Sequence, residues 1–374
     1  MTDSRSPETN RVYRYTRFTY TDVADGGSRR TRQLETMLRA GGFDVQDLGR
    51  TKVRRPPLVR SFLEGVRAWR QLGFRCRRLL TTAPAGNWRF LKECSLAWQG
   101  ATEELGGLPP GSRILWENTW NPLVAFAAAR LGHHVVAAPH NLEMLVASQH
   151  SAFYACGRVP PFQAEIRALA RASRVFTISR EEEWLLSLFG VAATYLPYIP
   201  VGEVRECLLD VRRHRPALTG GPFLVFGTAR NPPTRQGMER LAALLAQLDL
   251  PADIRFVVAG HGTGELAQSF PAPRFSVRGS LGEAELHDLL ASARALIVHQ
   301  DQGTGALTRI PEMLTAGVPV IASAIAARSA YDLAGVYTYC DRLGLGDLLR
   351  RDLAMPPAPS MPAGVEELFR QAWA

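Results

Sequence analysis

Short apolar runs alternate with helical stretches along almost the whole chain. The first half contains RILWEN, HHVVAAP, RVFTIS and ATYLPY, and the second half contains PFLVFG, IRFVVAG, FSVRG, ALIVHQ and PVIAS. Runs that are apolar almost throughout are typical of parallel strands covered by helices on both faces. Segments of helical periodicity, such as MERLAALLAQL and EAELHDLLASA, lie between them. The alternation predicts a parallel α/β architecture.

The length of the chain predicts that this pattern forms two domains. The 374 residues exceed the usual size of one domain, and 46% hydrophobic residues give each half enough material for a core. A stretch rich in Arg, Pro and Gly, VGEVRECLLDVRRHRPALTGGP, separates the two α/β series. We therefore expect two doubly wound, Rossmann-like domains over residues 1–200 and 201–358, with a cleft between them. Residues 359–374 are expected to form a tail and a short helix that packs back on the first domain.

Several classes of protein are disfavoured by absences in the sequence. The N-terminus lacks the apolar core of a signal peptide, and no apolar run is long enough to span a bilayer, so we expect a cytoplasmic protein. The five cysteines lie far apart without a C-x-x-C pair, which predicts free thiols rather than a zinc site or disulfide framework. There is no phosphate-loop motif, no H-E-x-x-H, no G-x-S-x-G and no Asp-x-Asp.

A dinucleotide cofactor is also disfavoured. The Gly-rich stretch from Gly260 to Gly264 places Glu265 where the dinucleotide fingerprint requires its third glycine. We expect neither a metal nor an organic cofactor, and no nucleic-acid partner.

The segment DQGTGALTRIPEMLTAGVPVIAS carries the strongest site signal. Residues 301–308 form a loop at the carboxyl end of a predicted strand, the edge at which open α/β sheets bind ligands. Gly303 and Gly305 allow close approach of the backbone, and Arg309 can bind a phosphate through two nitrogens. Glu312 can accept hydrogen bonds from vicinal hydroxyls such as those of a ribose. The alternative is an ordinary loop in which the glutamate interacts with the helix dipole.

This segment resembles the donor-binding stretch of the family-four glycosyltransferases. The matching positions are Gly303, Gly305, Arg309, Glu312, Gly317 and Pro319. The resemblance implies the two-domain GT-B fold, a contact of Glu312 with the donor ribose, and a contact of Arg309 with the pyrophosphate. Thr304 stands where many members of the family carry a second glutamate.

Further matches to the family follow in order along the chain. FSVRGSLGEAEL resembles the unit whose backbone contacts the nucleotide base, which implies donor-binding roles for Gly279, Ser280 and Leu281. The loop after PFLVFG offers Arg230 and Arg235 as further phosphate ligands, with a solvated role equally open for either.

The first domain contributes two candidate positions. His140 occupies the family's active-site histidine position, so the resemblance implies a hydrogen bond to the transferred sugar; the alternative is a histidine that caps a strand end or belongs to the core. We take His140 and Arg309 as the expected catalytic residues. Gly26 and Gly27 end the first predicted strand, which begins with VYRYTRFTY, at the point where the family's N-terminal loop reaches the cleft.

A basic segment lies in the same domain. Residues 50–80 contain ten Lys and Arg against one acid, Glu64, in a chain of net charge +9. Within residues 58–80, apolar residues recur at helical spacing and arginines lie mostly off that stripe. The segment is compatible with a helix on an anionic membrane and equally with a core-facing helix whose outer side is solvated.

Together, these residues predict a glycosyltransferase that uses a nucleotide diphosphate sugar and an acceptor hydroxyl on a sugar, a lipid-linked or a small-molecule acceptor. The resemblance implies transfer with retention and without a metal, in bacterial glycan or glycolipid assembly. Two alternatives are a nucleotide-sugar 2-epimerase on the same fold and a non-catalytic relative that binds nucleotide sugars.

Overall fold

The structure is a computed structural model that describes residues 10–16, 26–48, 58–71, 84–146, 161–216 and 220–374. The chain divides into two compact units. Unit 1 comprises Met1–Pro197 together with Pro362–Ala374, and unit 2 comprises Tyr198–Met361.

Unit 1 is built on a parallel sheet. Within the described residues its strands are β1 (Arg11–Tyr15), β2 (Asp44–Asp47), β3 (Arg113–Trp116), β4 (His134–Ala137), β5 (Arg174–Thr177) and β6 (Thr194–Tyr195). Its helices before the crossover to unit 2 are α1 (Gly26–Ala40), α2 (Leu58–Gln71), α3 (Pro84–Gly106), α4 (Leu123–Arg130), α5 (Pro161–Leu169) and α6 (Arg180–Leu188). The strand order is β2-β1-β3-β4-β5-β6.

Unit 2 contains a second parallel sheet. Its strands are β7 (Phe223–Phe226), β8 (Phe256–Ala259), β9 (Phe275–Gly279), β10 (Ala295–Val298), β11 (Val320–Ser323) and β12 (Val336–Tyr339). Its helices are α7 (Gly202–His214), α8 (Pro232–Leu245), α9 (Glu283–Ser292), α10 (Arg309–Thr315) and α11 (Arg342–Arg350). The strand order is β12-β11-β10-β7-β8-β9.

The central strands of unit 2 are buried on both faces. In β7, Phe223 and Val225 belong to one hydrophobic cluster, whereas Leu224 between them belongs to the cluster on the opposite face. Alternate side chains of a strand point to opposite faces of the sheet, so both faces need an apolar covering. The continuous apolar runs in the sequence follow from this burial, and the predicted doubly wound architecture is confirmed for both units.

The C-terminal segment completes unit 1. Helix α12 (Val365–Gln371) and the residues after it place Phe369 and Trp373 in fully buried positions. The ring of Phe369 lies 5.1 Å from that of Phe176 on β5, edge to face. The Ala372 carbonyl lies 3.0 Å from Nε2 of His134 on β4. The end of the described chain is therefore part of the core of unit 1.

Helix α1 begins earlier than the glycine pair suggested. Gly26 and Gly27 are the first two residues of the helix and do not end the first strand, which stops at Tyr15. The first backbone N–H groups of a helix have no partner within it, so glycine costs little stability there. The helix ends at a glycine in the left-handed region: Gly42 has φ +82°, and the N–H of Phe43 bonds the Leu38 carbonyl at 3.0 Å.

The basic segment is described only in part. Residues 58–71 form α2, which packs against α3, and residues 72–80 lie outside the described residues. Ala68 is fully buried and Val66 packs against the core of unit 1, whereas Leu63, Arg67 and Arg70 are exposed. One side of α2 thus faces the core. None of the helices described here is both long enough and apolar enough to cross a bilayer.

Candidate functional site

The carboxyl edge of the unit 2 sheet contains a crevice at the reversal of strand order. Strands β8 and β9 lie on one side of β7, and β10 lies directly on its other side, paired through Leu224 and Leu296. Loops that leave neighbouring strands in opposite directions open such a crevice, and ligands of open α/β sheets bind there. The loop after β7 and the loop 299–308 after β10 flank it.

Backbone hydrogen bonds join the loops along this edge. The N–H of Ala229, after β7, bonds the His261 carbonyl after β8 at 2.8 Å. The N–H of Gly260 bonds the Gly279 carbonyl at the end of β9 at 2.7 Å. A Cβ on Gly260 would lie 2.1 Å from the Gly227 carbonyl oxygen, so only glycine permits this approach. The three loops therefore form one continuous rim.

Arg309, the first residue of α10, reaches across the crevice. Its Nη1 donates to the Phe226 carbonyl at 2.9 Å and its Nη2 donates to Oγ1 of Thr234 at 3.0 Å. A Cβ on Gly227 would lie 2.3 Å from Nη1, so the glycine leaves room for the guanidinium. Both bonds fix the plane of the guanidinium, and N–H groups remain for a ligand because a guanidinium carries five donors.

The charge of Arg309 has little compensation from the protein. The side chain is half-buried, and among the described residues its guanidinium forms no salt bridge. Burial lowers the pKa of Arg309 to about 10, and the carboxylate of Glu312 opposes that effect. Arg309 is therefore a partly desolvated cation at the crevice, a setting that favours an anionic ligand.

Glu312 lies one helical turn after Arg309. Its side chain is buried, with 5% of its surface exposed, and its Oε1 accepts a hydrogen bond of 3.0 Å from the hydroxyl of Tyr198. Tyr198 is itself buried. The carboxylate is thus held in a fixed orientation within unit 2.

The glycine loop after β10 is held from behind by Arg328, which follows β11. Its Nε donates to the Gly305 carbonyl and its Nη2 to the Thr304 carbonyl, both at 2.9 Å. Nη1 donates to Oε1 of Gln300 at 3.0 Å. Gly303 has φ +153°, and a Cβ there would lie 3.0 Å from Nη2 of Arg328. Arg328 therefore fixes the backbone conformation of the loop, and the glycine allows it to come this close.

The start of the same loop is fixed by His299. Its Nδ1 lies 2.7 Å from the hydroxyl of Tyr339 on β12, and its Nε2 lies 3.0 Å from Oδ1 of Asp301. Burial lowers the pKa of His299, against the opposing effect of Asp301. A Cβ on Gly237 of α8 would lie 2.0 Å from the His299 carbonyl oxygen, so α8 also packs closely on this residue.

Arg230 and Arg235 have different surroundings. Arg235 lies on α8 and forms ion pairs with Glu239 at 3.0 Å and with Glu265 at 2.8 Å. Arg230 is exposed on the loop after β7, beside Gly262, and forms no ion pair among the described residues. Of the two, Arg230 has the uncompensated charge and stands on the rim of the crevice.

Gly279, Ser280 and Leu281 follow β9 at the far end of the rim. Gly279 has φ +70° in open space, and the exposed Ser280 has its Oγ 3.5 Å from Nδ1 of His261. Leu281 is half-buried and packs against one of the hydrophobic clusters. Their backbone lies two strands from β7 on the edge that carries Arg309.

Unit 1 carries a separate polar cluster at the carboxyl edge of its own sheet. His140 follows β4, and its Nε2 lies 2.9 Å from Oε2 of Glu117, the residue after β3. The hydroxyl of Thr31 on α1 donates to the same oxygen and lies 3.3 Å from His140 Nε2. All three side chains are buried. Nε of Arg14 lies 4.0 Å from the other oxygen of Glu117.

Buried carboxylates hold the loop that follows His140. Glu165 on α5 accepts from the backbone N–H of Glu143 at 2.9 Å and of Met144 at 3.0 Å. Burial raises the pKa of Glu165 to about 8, although the hydroxyl of Thr119 donates to it at 2.6 Å. Glu182 on α6 accepts from the backbone N–H of Leu142 at 2.9 Å. The position of the loop depends on these acids.

The structure thus gathers the predicted unit 2 residues on one edge, with Arg235 turned to surface carboxylates. In unit 1, His140 lies in the Glu117 cluster. Gly26 and Gly27 begin the helix that carries Thr31, while residues 17–25 lie outside the described residues. Sequence reasoning missed Glu117, Thr31, Tyr198 and Arg328. Only Glu117 had a signal, as an acid directly after a buried strand.

No family model matches the sequence, and no match was found among curated protein sequences. Solved structures match the fold along 97% of this chain. A trehalose-phosphate synthase (UDP-forming) from Burkholderia vietnamiensis is 13% identical, with a TM-score of 0.56 and 92% of that chain covered. Sucrose-phosphate synthase from Thermosynechococcus elongatus is 19% identical, with a TM-score of 0.53 and 93% of that chain covered.

HepE from Anabaena in complex with UDP is 12% identical, with a TM-score of 0.54 and 92% of that chain covered. These likenesses, together with the two six-stranded parallel sheets, show that the two units have the Rossmann-like folds of GT-B glycosyltransferases. The fold implied by the resemblance in the sequence is confirmed.

Proposed function

We propose that the protein is a glycosyltransferase that moves a sugar from a nucleotide diphosphate sugar to an acceptor hydroxyl. The proposal places the donor at the carboxyl edge of the unit 2 sheet. It is supported by the fold and by the ordered placement of the donor-segment residues along that edge. The acceptor classes are a sugar, a lipid-linked acceptor or a small molecule, in bacterial glycan or glycolipid assembly.

The strongest support for the proposal is the environment of the Arg309 guanidinium. Its half-buried guanidinium is oriented by Phe226 and Thr234 and forms no salt bridge among the described residues. A guanidinium that is oriented but has no counter-ion favours binding of an anion that accepts two hydrogen bonds at once, as a phosphate does. A diphosphate at the crevice satisfies this requirement.

The other residues of the edge are assigned to the remaining parts of the donor. Glu312, oriented by Tyr198, accepts hydrogen bonds from the ribose hydroxyls. The backbone at Gly303–Gly305 lies along the diphosphate, with Arg230 as a second cation, and the backbone of Gly279, Ser280 and Leu281 contacts the base. Thr304 offers a neutral hydroxyl where many family-four enzymes carry an acid, so the transferred sugar meets no carboxylate at this position.

The arrangement supports departure of the diphosphate without a metal. Negative charge grows on the phosphate oxygens as the bond to the sugar breaks, and Arg309 is already oriented toward them before the reaction. Donors that need no reorientation stabilise the transition state more than the ground state. The absence of Asp-x-Asp from the sequence supports the same mechanism. We further propose retention of the anomeric configuration, as the resemblance implies.

In unit 1 we assign His140 to a hydroxyl of the transferred sugar. Its Nε2 is engaged by Glu117 and Thr31, so the ring has a defined orientation. Glu117 is then a positioning residue for His140. A buried carboxylate beside an imidazole selects one tautomer and favours a donated N–H toward itself.

A nucleotide screen tests the proposal. UDP is the first probe because HepE was crystallised with UDP and with UDP-glucose, and GDP, TDP and the corresponding sugars complete the panel. A ligand that binds only the folded protein raises its unfolding temperature by mass action. Stabilisation by one nucleoside diphosphate, absent with the nucleoside alone, is expected. No response to any diphosphate would contradict the proposal.

Turnover of the selected donor separates the remaining alternatives. Incubation with an acceptor pool should release nucleoside diphosphate and form a glycoside, and EDTA should leave the rate unchanged. Conversion of the donor to a C2 epimer without acceptor would identify an epimerase. Donor binding with no transfer to any acceptor would identify a non-catalytic relative. An activity lost in EDTA and restored by Mg²⁺ or Mn²⁺ would contradict the metal-free mechanism.

A further inference from the structure

Two helices of unit 2 bring together a second polar cluster that the proposed donor site does not use. Asp210 and His214 lie four residues apart near the end of α7 and therefore face the same side. His287 on α9 completes the group. Nitrogen and oxygen atoms of the three side chains lie within 4.8 Å of one another.

The distances match those between ligands that share one metal ion. Nε2 of His287 lies 3.1 Å and Nδ1 of His214 lies 3.7 Å from Oδ2 of Asp210. Bonds of about 2.0–2.1 Å in a tetrahedral site place neighbouring ligand atoms about 3.3–3.4 Å apart. The two observed distances lie on either side of this value, and all three ligand atoms lie within 4.8 Å of one another.

Contacts outside the cluster fix the Asp210 carboxylate and the separation of α7 and α9. Nη2 of Arg213 binds Oδ1 of Asp210 at 2.8 Å, which leaves Oδ2 directed at the two imidazoles. Nη2 of Arg215, directly after α7, donates to the Ala293 carbonyl at the end of α9 at 2.9 Å. The separation of the two helices is thus set independently of the histidines, and a metal would find its ligands close to their final positions.

The site is also open to solvent. A surface hollow of about 560 Å³ is lined in part by His214 and His287. An ion can enter from this side, and a water molecule can occupy the fourth coordination position. Two imidazoles and one carboxylate form a ligand set that suits Zn²⁺ and its neighbours in the transition series rather than Mg²⁺ or Ca²⁺, which prefer oxygen.

We propose that Asp210, His214 and His287 bind a divalent transition metal, with Zn²⁺ as the best-fitting ion, and that the ion ties α7 to α9. Binding requires Nδ1 of His214 to give up its hydrogen bond to the Asp210 carbonyl, now 2.9 Å long, and to coordinate in the neutral form. The ion has a structural role and takes no part in the proposed transfer reaction.

The test uses the full chain without a polyhistidine tag, in a buffer free of phosphate. Isothermal titration with ZnCl₂ should show one ion per chain, and MgCl₂ should show none. Thermal unfolding should shift upward, because free Zn²⁺ at one hundred times its Kd changes the apparent unfolding equilibrium about a hundredfold. No heat and no shift would overturn the proposal.

Matched variants locate the site. His214→Ala and His287→Ala should each weaken Zn²⁺ binding by more than about tenfold, since even groups outside the ligand shell are typically worth ten- to a hundredfold. Asp210→Asn should weaken it as well. His261→Ala, an exposed histidine elsewhere in unit 2, and Asp249→Asn, an exposed acid remote from His287 in sequence, should not. Unfolding without metal confirms that each variant folds.

Two further controls test whether Zn²⁺ binds to a thiol instead and whether its binding depends on the proposed donor site. Cys207 is exposed on α7, so Cys207→Ser should retain Zn²⁺ binding. Loss of binding in that variant, with the histidine variants unchanged, would move the ion to the thiol and overturn the assignment. Arg309→Ala should also retain Zn²⁺ binding, which keeps this test independent of the proposed donor site.

Discussion

Replacement of Arg309 by alanine tests the assignment of the diphosphate to the β7–β10 crevice. The substitution removes a guanidinium that is oriented by two hydrogen bonds and lacks a salt bridge among the described residues. A hydrogen bond between charged groups contributes roughly 1.5–3 kcal/mol, which corresponds to about a 10- to 150-fold loss of affinity for a nucleoside diphosphate. The turnover number should fall as well, since charge on the diphosphate increases in the transition state.

Arg274→Ala is the matched control for this experiment. Arg274 is also half-buried and also donates two hydrogen bonds, to the carbonyls of Pro251 and Leu250 at 3.2 and 3.1 Å. It precedes β9 and so lies at the amino edge of the same sheet. The two variants lose comparable internal hydrogen bonds, but only Arg309→Ala should lose nucleotide affinity in isothermal titration.

Two results would refute the reasoning about Arg309. Equal nucleotide affinity in Arg309→Ala and the unchanged protein would place the diphosphate elsewhere, with Arg230 as the next candidate. An equal loss of affinity in both variants would show that binding follows the stability of unit 2 rather than a contact at the crevice.

Three other variants have defined outcomes. Glu312→Gln keeps an oxygen that can accept from Tyr198 but loses the charge that we assign to the ribose hydroxyls. Steady-state kinetics should therefore show a raised donor KM and a nearly unchanged kcat, and abolished turnover at unchanged affinity would exclude the ribose role. Glu165→Gln should flatten the pH dependence of stability. Burial raises the pKa of Glu165 from 4.5 to about 8, so its stabilising contribution is complete below about pH 4.5 and is lost as the pH rises through 8. Urea unfolding should therefore show a slope smaller by up to about 1.4 kcal/mol per pH unit within that window, and an unchanged slope would contradict the shift. Anionic vesicles should retain the protein at low salt and release it at high salt, whereas Arg67→Glu combined with Arg70→Glu should not bind; equal retention by neutral vesicles would leave α2 with its packing role alone.

The strands with the clearest signal in the sequence are those that are buried throughout. Strands such as β8 and β10 are buried throughout, and that burial appears in the sequence as an uninterrupted apolar run. Strand β12 was not predicted, and Tyr339 is its one buried residue. The glycine pair at 26–27 suggested a turn because glycine favours turns, yet it also fits the first positions of a helix.

For the candidate site, the sequence predicted the loop and the helix that carry the residues, but not the contacts that orient their side chains. Strand order along the chain was enough to assign Arg309 and Glu312 to a loop and helix at the carboxyl edge. The residues that orient the candidate side chains are remote in sequence: Tyr198 is 114 positions from Glu312, and Thr31 is 109 positions from His140. Such pairs come into contact because two strands or helices pack side by side. A local pattern of residue types does not predict such a long-range contact.

The return of the chain to unit 1 has a consequence for synthesis. Unit 2 is one continuous segment, Tyr198–Met361, whereas unit 1 needs both Met1–Pro197 and Pro362–Ala374. During translation unit 2 can therefore complete its core first, while the earlier-made unit 1 still lacks Phe369 and Trp373, both fully buried in the finished fold. Domains usually fold in the order in which they emerge from the ribosome, but here the first unit to begin is the last to close. A nascent chain stalled shortly after Met361 should expose the apolar surface on unit 1 that α12 covers, and it would be a natural client for chaperones.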